Sequence, residues 1–269
     1  MAGLVESLRP RGALEIVDDA AVLLRRHFNE LSILAALAVL PGVLVWLSNG
    51  LRSRVEDAGS FDPRVVFFSD DQTIDNGLVV LQLFLDSYGL ALLAYGTTQL
   101  VVAELLGASI TRGALLVGTL KAAPRILVVW LIVHFLELLG LVAAGIGAII
   151  AMVVFVVAIP VLAAEPVAVF GVPRRCLELT KGQRGRVFGV ALVSAVLSVL
   201  IGLALSFTPT ELTGIFLDGR PLVIASVVFQ SLAGMVAASI TAGAAAHAHI
   251  DLRVRSEGLD IDVKLRSMA

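Results

Sequence analysis

The chain has 269 residues, of which 58% are apolar and only 16% are charged, and its mean hydropathy is +0.95. An ordinary soluble domain is about 25% charged and 45–50% apolar, so this composition excludes a typical soluble enzyme, and its richness in aliphatic residues excludes a disordered chain. The net charge of −2 gives no reason to expect nucleic acid as a partner.

The first thirty residues predict an inner amphipathic helix over 1–30 rather than a cleavable signal, because arginines are mixed with acids there. Apolar residues recur at helical spacing on one face, at Leu14, Val17, Ala21, Leu24 and Phe28. Such a helix would lie along the inner headgroup layer, with its arginines near anionic lipid. The alternative is a structural helix packed under the bundle.

Six apolar runs follow, each long enough to cross a hydrocarbon core about 30 Å thick. We predict membrane spans at 31–48, 78–104, 125–142, 145–164, 187–207 and 222–248. The stretch from 125 to 170 is too long for one helix and must turn, and Gly140, Gly145 and Gly147 mark the place. Prolines within the spans are tolerable, because neighbouring helices and Ser or Thr hydroxyls satisfy the freed carbonyls.

The basic residues are distributed unevenly between the two sides. With the N-terminus inside, the inner segments hold sixteen of the 20 lysines and arginines, and the outer segments hold the other four. The positive-inside rule therefore predicts that both termini are cytoplasmic. We expect a multi-pass protein of a prokaryotic cytoplasmic (inner) membrane, with one membrane domain over 1–269, an acidic outer loop at 49–77 and an inner tail at 249–269.

A short motif recurs three times along the chain. Arg-Gly-Ala-Leu at 11–14 and 112–115, and Arg-Arg-Cys-Leu at 174–177, each open a stretch that leads through a second basic cluster into a span. Glu104 and Glu165 add support, since each lies at the inner end of an even-numbered span. The pattern predicts three repeats of an inner amphipathic helix plus a membrane hairpin, and chance recurrence is the alternative.

Four segments carry a family resemblance. They are Arg-Pro-Arg-Gly-Ala-Leu-Glu-Ile at 9–16, Leu-Pro-Gly at 40–42, Arg-Arg-Cys-Leu-Glu-Leu-Thr-Lys-Gly at 174–182 and Asp-Leu-Arg-Val-Arg-Ser-Glu-Gly-Leu-Asp at 251–260. Together they resemble the bacterial and archaeal six-span family labelled the membrane domain of glycerophosphoryl diester phosphodiesterases, and related uncharacterised integral membrane proteins share this layout. In fused family members the phosphodiesterase chemistry belongs to a separate soluble barrel domain with no counterpart here, so the resemblance implies an architecture and no activity.

A few polar residues lie inside the apolar runs, where ionisable groups are costly and are candidates for function. His134 and Glu137 share a face of the third span, Asp86 on the second span has Gln82 one turn earlier, and Gln230 on the sixth span reaches a similar depth. These five residues predict a polar layer. It is either a proton-linked or cation-coordinating site with His134 as the switch, or a hydrogen-bonded cluster that fixes helix register.

Basic residues at the inner ends of the spans are predicted to contact lipid headgroups. They are Arg11, Arg25, Arg26, Arg112, Arg174, Arg175, Arg253 and Arg255. His247 and Asp251, four residues apart at the inner end of the last span, are interpreted as interface caps and lipid contacts, and His249 lies on another face.

We assign no catalytic, cofactor-binding or metal-binding residues. The sequence has no phosphate-binding P-loop, dinucleotide fingerprint, Gly-x-Ser-x-Gly elbow or His-Glu-x-x-His motif, and one cysteine, Cys176, can form neither an intramolecular disulfide nor a thiolate metal site. We therefore expect a non-enzymatic integral membrane protein without a cofactor, which acts through membrane lipids and other membrane proteins in membrane or envelope homeostasis. The alternative is a small permease or lipid-handling transporter that uses the Asp86, His134 and Glu137 layer.

Overall fold

The computed structural model describes residues 9–52, 76–142, 145–217 and 219–259. Most of the predicted acidic outer loop and the end of the inner tail lie outside these residues. All regular secondary structure in the described part is helical. The helices are α1 (Ala13–Arg26), α2 (Phe28–Arg52), α3 (Asn76–Leu105), α4 (Arg112–Val142), α5 (Ile146–Phe155), α6 (Ala158–Ala164), α7 (Val172–Thr180), α8 (Arg184–Gly202), α9 (Thr208–Gly214) and α10 (Gly219–Glu257).

Within the described residues, six helical segments are long and apolar enough to cross a membrane. They are Phe28–Val45, Gly77–Leu105, Arg112–Val142, Ile146–Ala164, Arg184–Gly214 and Ile224–Glu257. The prediction of an all-α, polytopic membrane protein with six spans is confirmed. Most of the helices run beyond the predicted ends, because hydropathy marks only the apolar part of a helix that continues through polar flanking residues.

The predicted turn between the third and fourth spans is also confirmed. Helix α4 ends at Val142, and Gly145 adopts a positive φ of 76° immediately before α5 begins. Gly140 and Gly147 pack backbone against backbone, so that a Cβ atom at Gly140 would lie 2.5 Å from the carbonyl carbon of Gly147. Glycine is therefore required both for the turn and for the close approach of the two helices.

Two spans are irregular near prolines. Helix α5 ends at Phe155 and α6 starts at Ala158, because Pro160 cannot donate to the carbonyl four residues earlier. A π-helical turn, Leu203–Phe207, joins α8 to α9 next to Pro209. There the hydroxyl of Thr208 donates to the carbonyl of Leu203 at 2.8 Å. The backbone N–H of Thr208 donates to the same carbonyl, so that carbonyl is not one freed by Pro209, and satisfaction of freed carbonyls by Ser or Thr stays a prediction.

Helices α1 and α7 are separate short helices at the first and third positions predicted for an inner helix, and the second position has no separate helix. Helix α1 ends at His27, and α7 ends before Gly182, which has a φ of 76°. Helix α4 instead continues without a break from Arg112 into the span, with Pro124 inside it. The prediction of a separate helix there is wrong, because no residue between the predicted inner segment and the span interrupts the helix. The threefold repeat stays a prediction.

Helix α1 packs through a stripe next to the predicted one. Ile16, Val17 and Ala20 are buried, and a Cβ atom at Gly243 of α10 would lie 2.9 Å from the Cβ of Ala20. Leu14, which belongs to the predicted lipid-facing stripe, is 73% exposed. Elsewhere in that stripe Val17 is buried and Leu24 packs partly against the buried core, so α1 packs as a structural helix, and its position along the headgroup layer stays a prediction.

The described helices form two compact units. Unit 1 comprises Met1–Leu34, Ala91–Val196 and Ser239–Ala269, and unit 2 comprises Ala35–Leu90 and Leu197–Ala238. Unit 1 has a core cluster of Leu23, Leu31, Leu100, Val101 and Ala246. In unit 2 a Cβ atom at Gly89 of α3 would collide with the carbonyl oxygen of Ala38 on α2. The single membrane domain over 1–269 stays a prediction.

Candidate functional site

Helix α10 ends in two interleaved rows of polar residues. His247, Asp251 and Arg255 are spaced by four residues and share one face, and His249, Arg253 and Glu257 share another. Each row contacts different residues of unit 1. The two resulting groups are the Asp251 cluster, made of Asp251, Arg11, Arg186 and Arg255, and the Glu165 cluster, made of Glu165, Arg175, His249, Arg253 and Glu257.

The Asp251 cluster fixes the start of α1. Asp251 Oδ1 accepts a hydrogen bond from the backbone N–H of Arg11 at 2.7 Å, and Oδ2 accepts from Nε of Arg186 at 3.0 Å and Nε of Arg255 at 2.9 Å. The Asp251 side chain is only 2% exposed. Both partner arginines also donate to the backbone carbonyl of Arg11. The backbone of Arg11 is therefore held at both its donor and its acceptor.

The side chain of Arg11 extends this cluster towards α1 and His247. Its Nη1 donates to Asp19 Oδ2 at 2.6 Å and lies 3.5 Å from Nδ1 of His247. A guanidinium can only donate, so Nδ1 accepts and a neutral His247 ring carries its proton on Nε2. That Nε2 is buried and has no hydrogen-bond partner within the described ranges. Burial raises the pKa of Asp19, although the charge of Arg11 opposes the shift.

The Glu165 cluster lies directly after α6. Glu165 Oε2 accepts from Nε of Arg175 at 2.6 Å, and Oε1 lies 2.8 Å from Nε2 of His249 and 3.8 Å from Nε of Arg253. Glu257 pairs with both Arg175 and Arg253. Burial opposes ionisation of Glu165, but the hydrogen bonds from His249 and Arg175 outweigh it and lower its pKa to about 2. Glu165 is therefore ionised at neutral pH.

The chemistry of both clusters is that of structural clamps. Glu165 is a poor general base, because the hydrogen bonds from His249 and Arg175 lower its pKa and with it its proton affinity. Cys176 on α7 is fully buried, and burial together with the charge of Glu165 raises the pKa of its thiol to about 12. A thiol in that environment is a poor nucleophile. The clusters instead join α1, α7, α8 and α10 of unit 1.

The predicted pair on the third span lies in unit 1. Nδ1 of His134 donates to the carbonyl of Trp130 at 3.0 Å, and its ring stacks on the indole with centroids 4.1 Å apart. Nε2 lies 3.9 Å from Oε2 of Glu137, beyond hydrogen-bond distance. The structure thus brings this pair onto one face, with the His134 side chain 41% exposed.

The other predicted polar residues lie in unit 2. The amide of Gln82 hydrogen-bonds to the carboxylate of Asp86, as the one-turn spacing predicts. Gly42 of α2 faces the same carboxylate, because a Cβ atom there would collide with Asp86. Gln230 is half-buried on α10. A single polar layer that includes His134 and Glu137 stays a prediction.

The predicted lipid-contacting arginines fall into two groups. Four have side chains at most 27% exposed and bind protein carboxylates: Arg11, Arg175, Arg253 and Arg255. Four are exposed: Arg25, Arg26, Arg112 and Arg174. Lipid contact stays a prediction for all eight arginines.

The interpretation of Asp251 as a cap and lipid contact is wrong, because its side chain is buried and bound by arginines. The sequence reasoning also missed Arg186, whose partner is 65 residues away in sequence. The four-residue spacing of His247, Asp251 and Arg255 was the readable signal for a continuous polar row.

Among the residues that the structure describes, no group of three or more His, Cys, Asp or Glu side chains is placed to hold a metal ion. Compared with known proteins, the chain matches no protein-family model, no curated protein and no solved structure. The family resemblance stays a prediction, and a proposal for function must start from the chain's own residues.

Proposed function

We propose that the chain is a non-enzymatic protein of a prokaryotic inner membrane, with cytoplasmic termini, that acts through lipid and protein contacts. The observation that carries this proposal is a set of exposed side chains of unit 1, for which we use the name juxtamembrane surface. It combines large apolar and basic side chains next to the ends of spans: Leu14, Phe28, Leu106, Phe170 and Leu177 with Arg25, Arg112 and Arg174.

The composition of this surface supports interfacial binding. Phe170, in the short turn before α7, is 82% exposed, and the Arg174 side chain on α7 is 87% exposed. Apolar side chains that enter the acyl boundary beside arginines at headgroup level are typical of interfacial helices. Each basic residue near an anionic leaflet contributes about 1 kcal/mol of attraction, which corresponds to roughly fivefold in association.

The two clamps support a platform function. The Asp251 cluster holds the start of α1, and Arg175 ties α7 to Glu165 and Glu257. These contacts fix the helices that carry the juxtamembrane surface, so lipid or a membrane protein would meet a preorganised surface and lose less of its binding energy to ordering.

A lipid-association measurement tests the proposal. The full chain is reconstituted into phosphatidylcholine vesicles, and electron spin resonance compares the association of spin-labelled phosphatidylglycerol with that of phosphatidylcholine. We expect a several-fold preference for phosphatidylglycerol that falls with salt. Arg174→Gln should lower it, whereas Arg64→Gln in the predicted outer loop should not. Equal association of both lipids with the wild-type chain would overturn the proposal.

The permease alternative has a separate test. Gly42 and Gln82 contact the Asp86 carboxylate, so an acid that contacts a neighbouring helix inside a predicted span of unit 2 is the observation that favours it. Proton flux into proteoliposomes that is abolished by Asp86→Asn and by Glu137→Gln would support transport. Flux equal to that of empty vesicles would exclude proton-linked transport.

A further inference from the structure

Unit 1 contains a cavity of about 320 Å³ between α1, the end of α3 and the end of α10. One part of its lining is apolar, with Val22, Leu23, Val101, Leu105 and Ile250. The other part is polar, with Arg11, Asp19, Arg26, Glu104 and His247. Sites for small ligands have volumes of about 300–1,000 Å³, so this cavity is large enough for a headgroup and too small for a whole lipid.

The charges around the cavity are balanced and paired. Arg11 binds Asp19 at 2.6 Å, and Arg26 binds Glu104 at 3.0 Å. An anion placed beside either arginine would also meet a carboxylate, and a cation beside either carboxylate would meet an arginine. A ligand that carries both signs can satisfy both members of a pair. The lining therefore selects a zwitterion over an ion of single charge.

The two ion pairs differ in how easily they open. The side chains of Arg26 and Glu104 are 65% and 38% exposed, and exposed ion pairs contribute little to stability, so this pair can exchange its partners for a ligand. Arg11 is only 18% exposed and its backbone is held by Asp251. The Arg11–Asp19 pair is thus fixed, and the Arg26–Glu104 pair is exchangeable.

Two further polar groups in the lining, on His247 and Asp19, have protein partners that do not fully offset the loss of water on burial. The neutral tautomer of His247 presents a buried Nε2–H without an acceptor in the part of the chain described. Arg26 is the more exposed arginine of the lining, and a phosphate oxygen is a charged acceptor that it would bind. Burial raises the pKa of the Asp19 carboxyl, so a second cation beside it would favour the carboxylate.

We propose that this cavity binds a zwitterionic headgroup, a phosphate joined by a short linker to a primary ammonium, with the phosphate at Arg26 and the ammonium at Asp19 and Glu104. The source is a membrane lipid of the phosphatidylethanolamine type, because the apolar half of the lining accepts the glycerol and upper acyl carbons. This proposal rests on the proposed action through lipid contacts and adds a specific site and lipid class to it.

The experiment measures binding to the full-length protein in detergent by native mass spectrometry and by the shift in melting temperature. The probes are short-chain phosphatidylethanolamine, phosphatidylglycerol and phosphatidylcholine, with soluble glycerophosphoethanolamine as the arm without acyl chains. We expect one saturable site for phosphatidylethanolamine, at least tenfold tighter than for the other two lipids. Phosphatidylcholine is weaker because its quaternary ammonium has no N–H donor for the carboxylates.

The chain offers matched control residues. Asp19→Asn and Arg26→Gln should each weaken phosphatidylethanolamine binding about tenfold or more, because each removes a charge-assisted contact. Asp18→Asn on α1 and Arg184→Gln on α8 remove the same charges from exposed positions outside the lining and should leave binding unchanged. Melting curves without lipid verify that every variant is folded, and Glu104→Gln replaces any variant that is not.

The possible results separate the two proposals. Equal binding of phosphatidylglycerol, or equal loss in the cavity variants and their controls, overturns the zwitterion site even where vesicle association still prefers anionic lipid. Saturable phosphatidylethanolamine binding without any anionic preference supports the site and overturns the wider juxtamembrane function. Binding of glycerophosphoethanolamine as tight as that of the lipid supports zwitterion recognition and overturns the lipid source.

Discussion

Removal of the Asp251 carboxylate tests the clamp at the start of α1. In Asp251→Ala the backbone N–H of Arg11 loses its acceptor, and Arg186 and Arg255 lose the charge that they share. Breaking a buried ion pair by removing one partner costs about 3–5 kcal/mol. The two arginine side chains are 27% and 23% exposed and can be partly rehydrated, so we expect the lower end, about 3 kcal/mol.

The assay for this prediction has a global and a local readout. Unfolding in mixed micelles by titrated sodium dodecyl sulfate gives the free energy of unfolding. Hydrogen exchange of the α1 amides gives the local opening, which should become about a hundredfold faster if the clamp alone holds this helix. Asp18→Ala removes the same charge from an exposed position of α1 and should cost no more than about 0.5 kcal/mol. Equal unfolding free energies and equal α1 exchange in the two variants would refute the clamp.

Three further predictions concern other parts of the fold. The pKa of Glu165 is near 4.5 in the unfolded chain and about 2 in the folded protein. Its ionised form therefore stabilises the folded protein above pH 4.5, and this stabilisation is lost as pH falls towards about 2. Glu165→Gln should therefore lower the free energy of unfolding by about 3 kcal/mol at pH 7. The difference in this free energy from wild type, measured by denaturant titration, should shrink below pH 4.5; a pH-independent difference would contradict this. Gly89→Ala forces a Cβ into the Ala38 carbonyl and should lower the melting temperature strongly, whereas Gly202→Ala meets no atom within 4 Å and should be neutral or stabilising; similar melting temperatures would contradict the close approach. Cys176 should react with maleimide only after unfolding, because its thiol is buried with a raised pKa; fast labelling of the folded protein would contradict its burial.

The spans and the interhelical turn could be predicted from the sequence, because they depend on local properties. Twenty apolar residues cross a membrane whatever their neighbours are, and Gly145 allows a positive φ that other residues avoid. The packed stripe of α1 could not be predicted, because Leu14 and Ile16 are both apolar and the partner, Gly243, is more than 200 residues away. Periodicity measures the width of an apolar arc and does not identify the part of it that another helix covers.

Some contacts of the candidate site could likewise be predicted from the sequence, and others could not. Local spacing predicted the contacts of His134 with Glu137 and of Gln82 with Asp86, since residues three or four apart share a helix face. The clamp around Asp251 depends on residues from three distant segments, and pairwise spacing within one segment cannot indicate them.

Photo-crosslinking in native membranes is the most direct test of whether the protein acts through lipid and protein contacts at the juxtamembrane surface. Phe170→p-benzoylphenylalanine places a photoreactive group at a position that is 82% exposed, and Leu115→p-benzoylphenylalanine at a buried position is the control. After irradiation and mass spectrometry, we expect phospholipid and membrane-protein adducts at position 170 and only intramolecular products at position 115. Absence of lipid and protein adducts at 170, with the protein folded in the membrane, would contradict it.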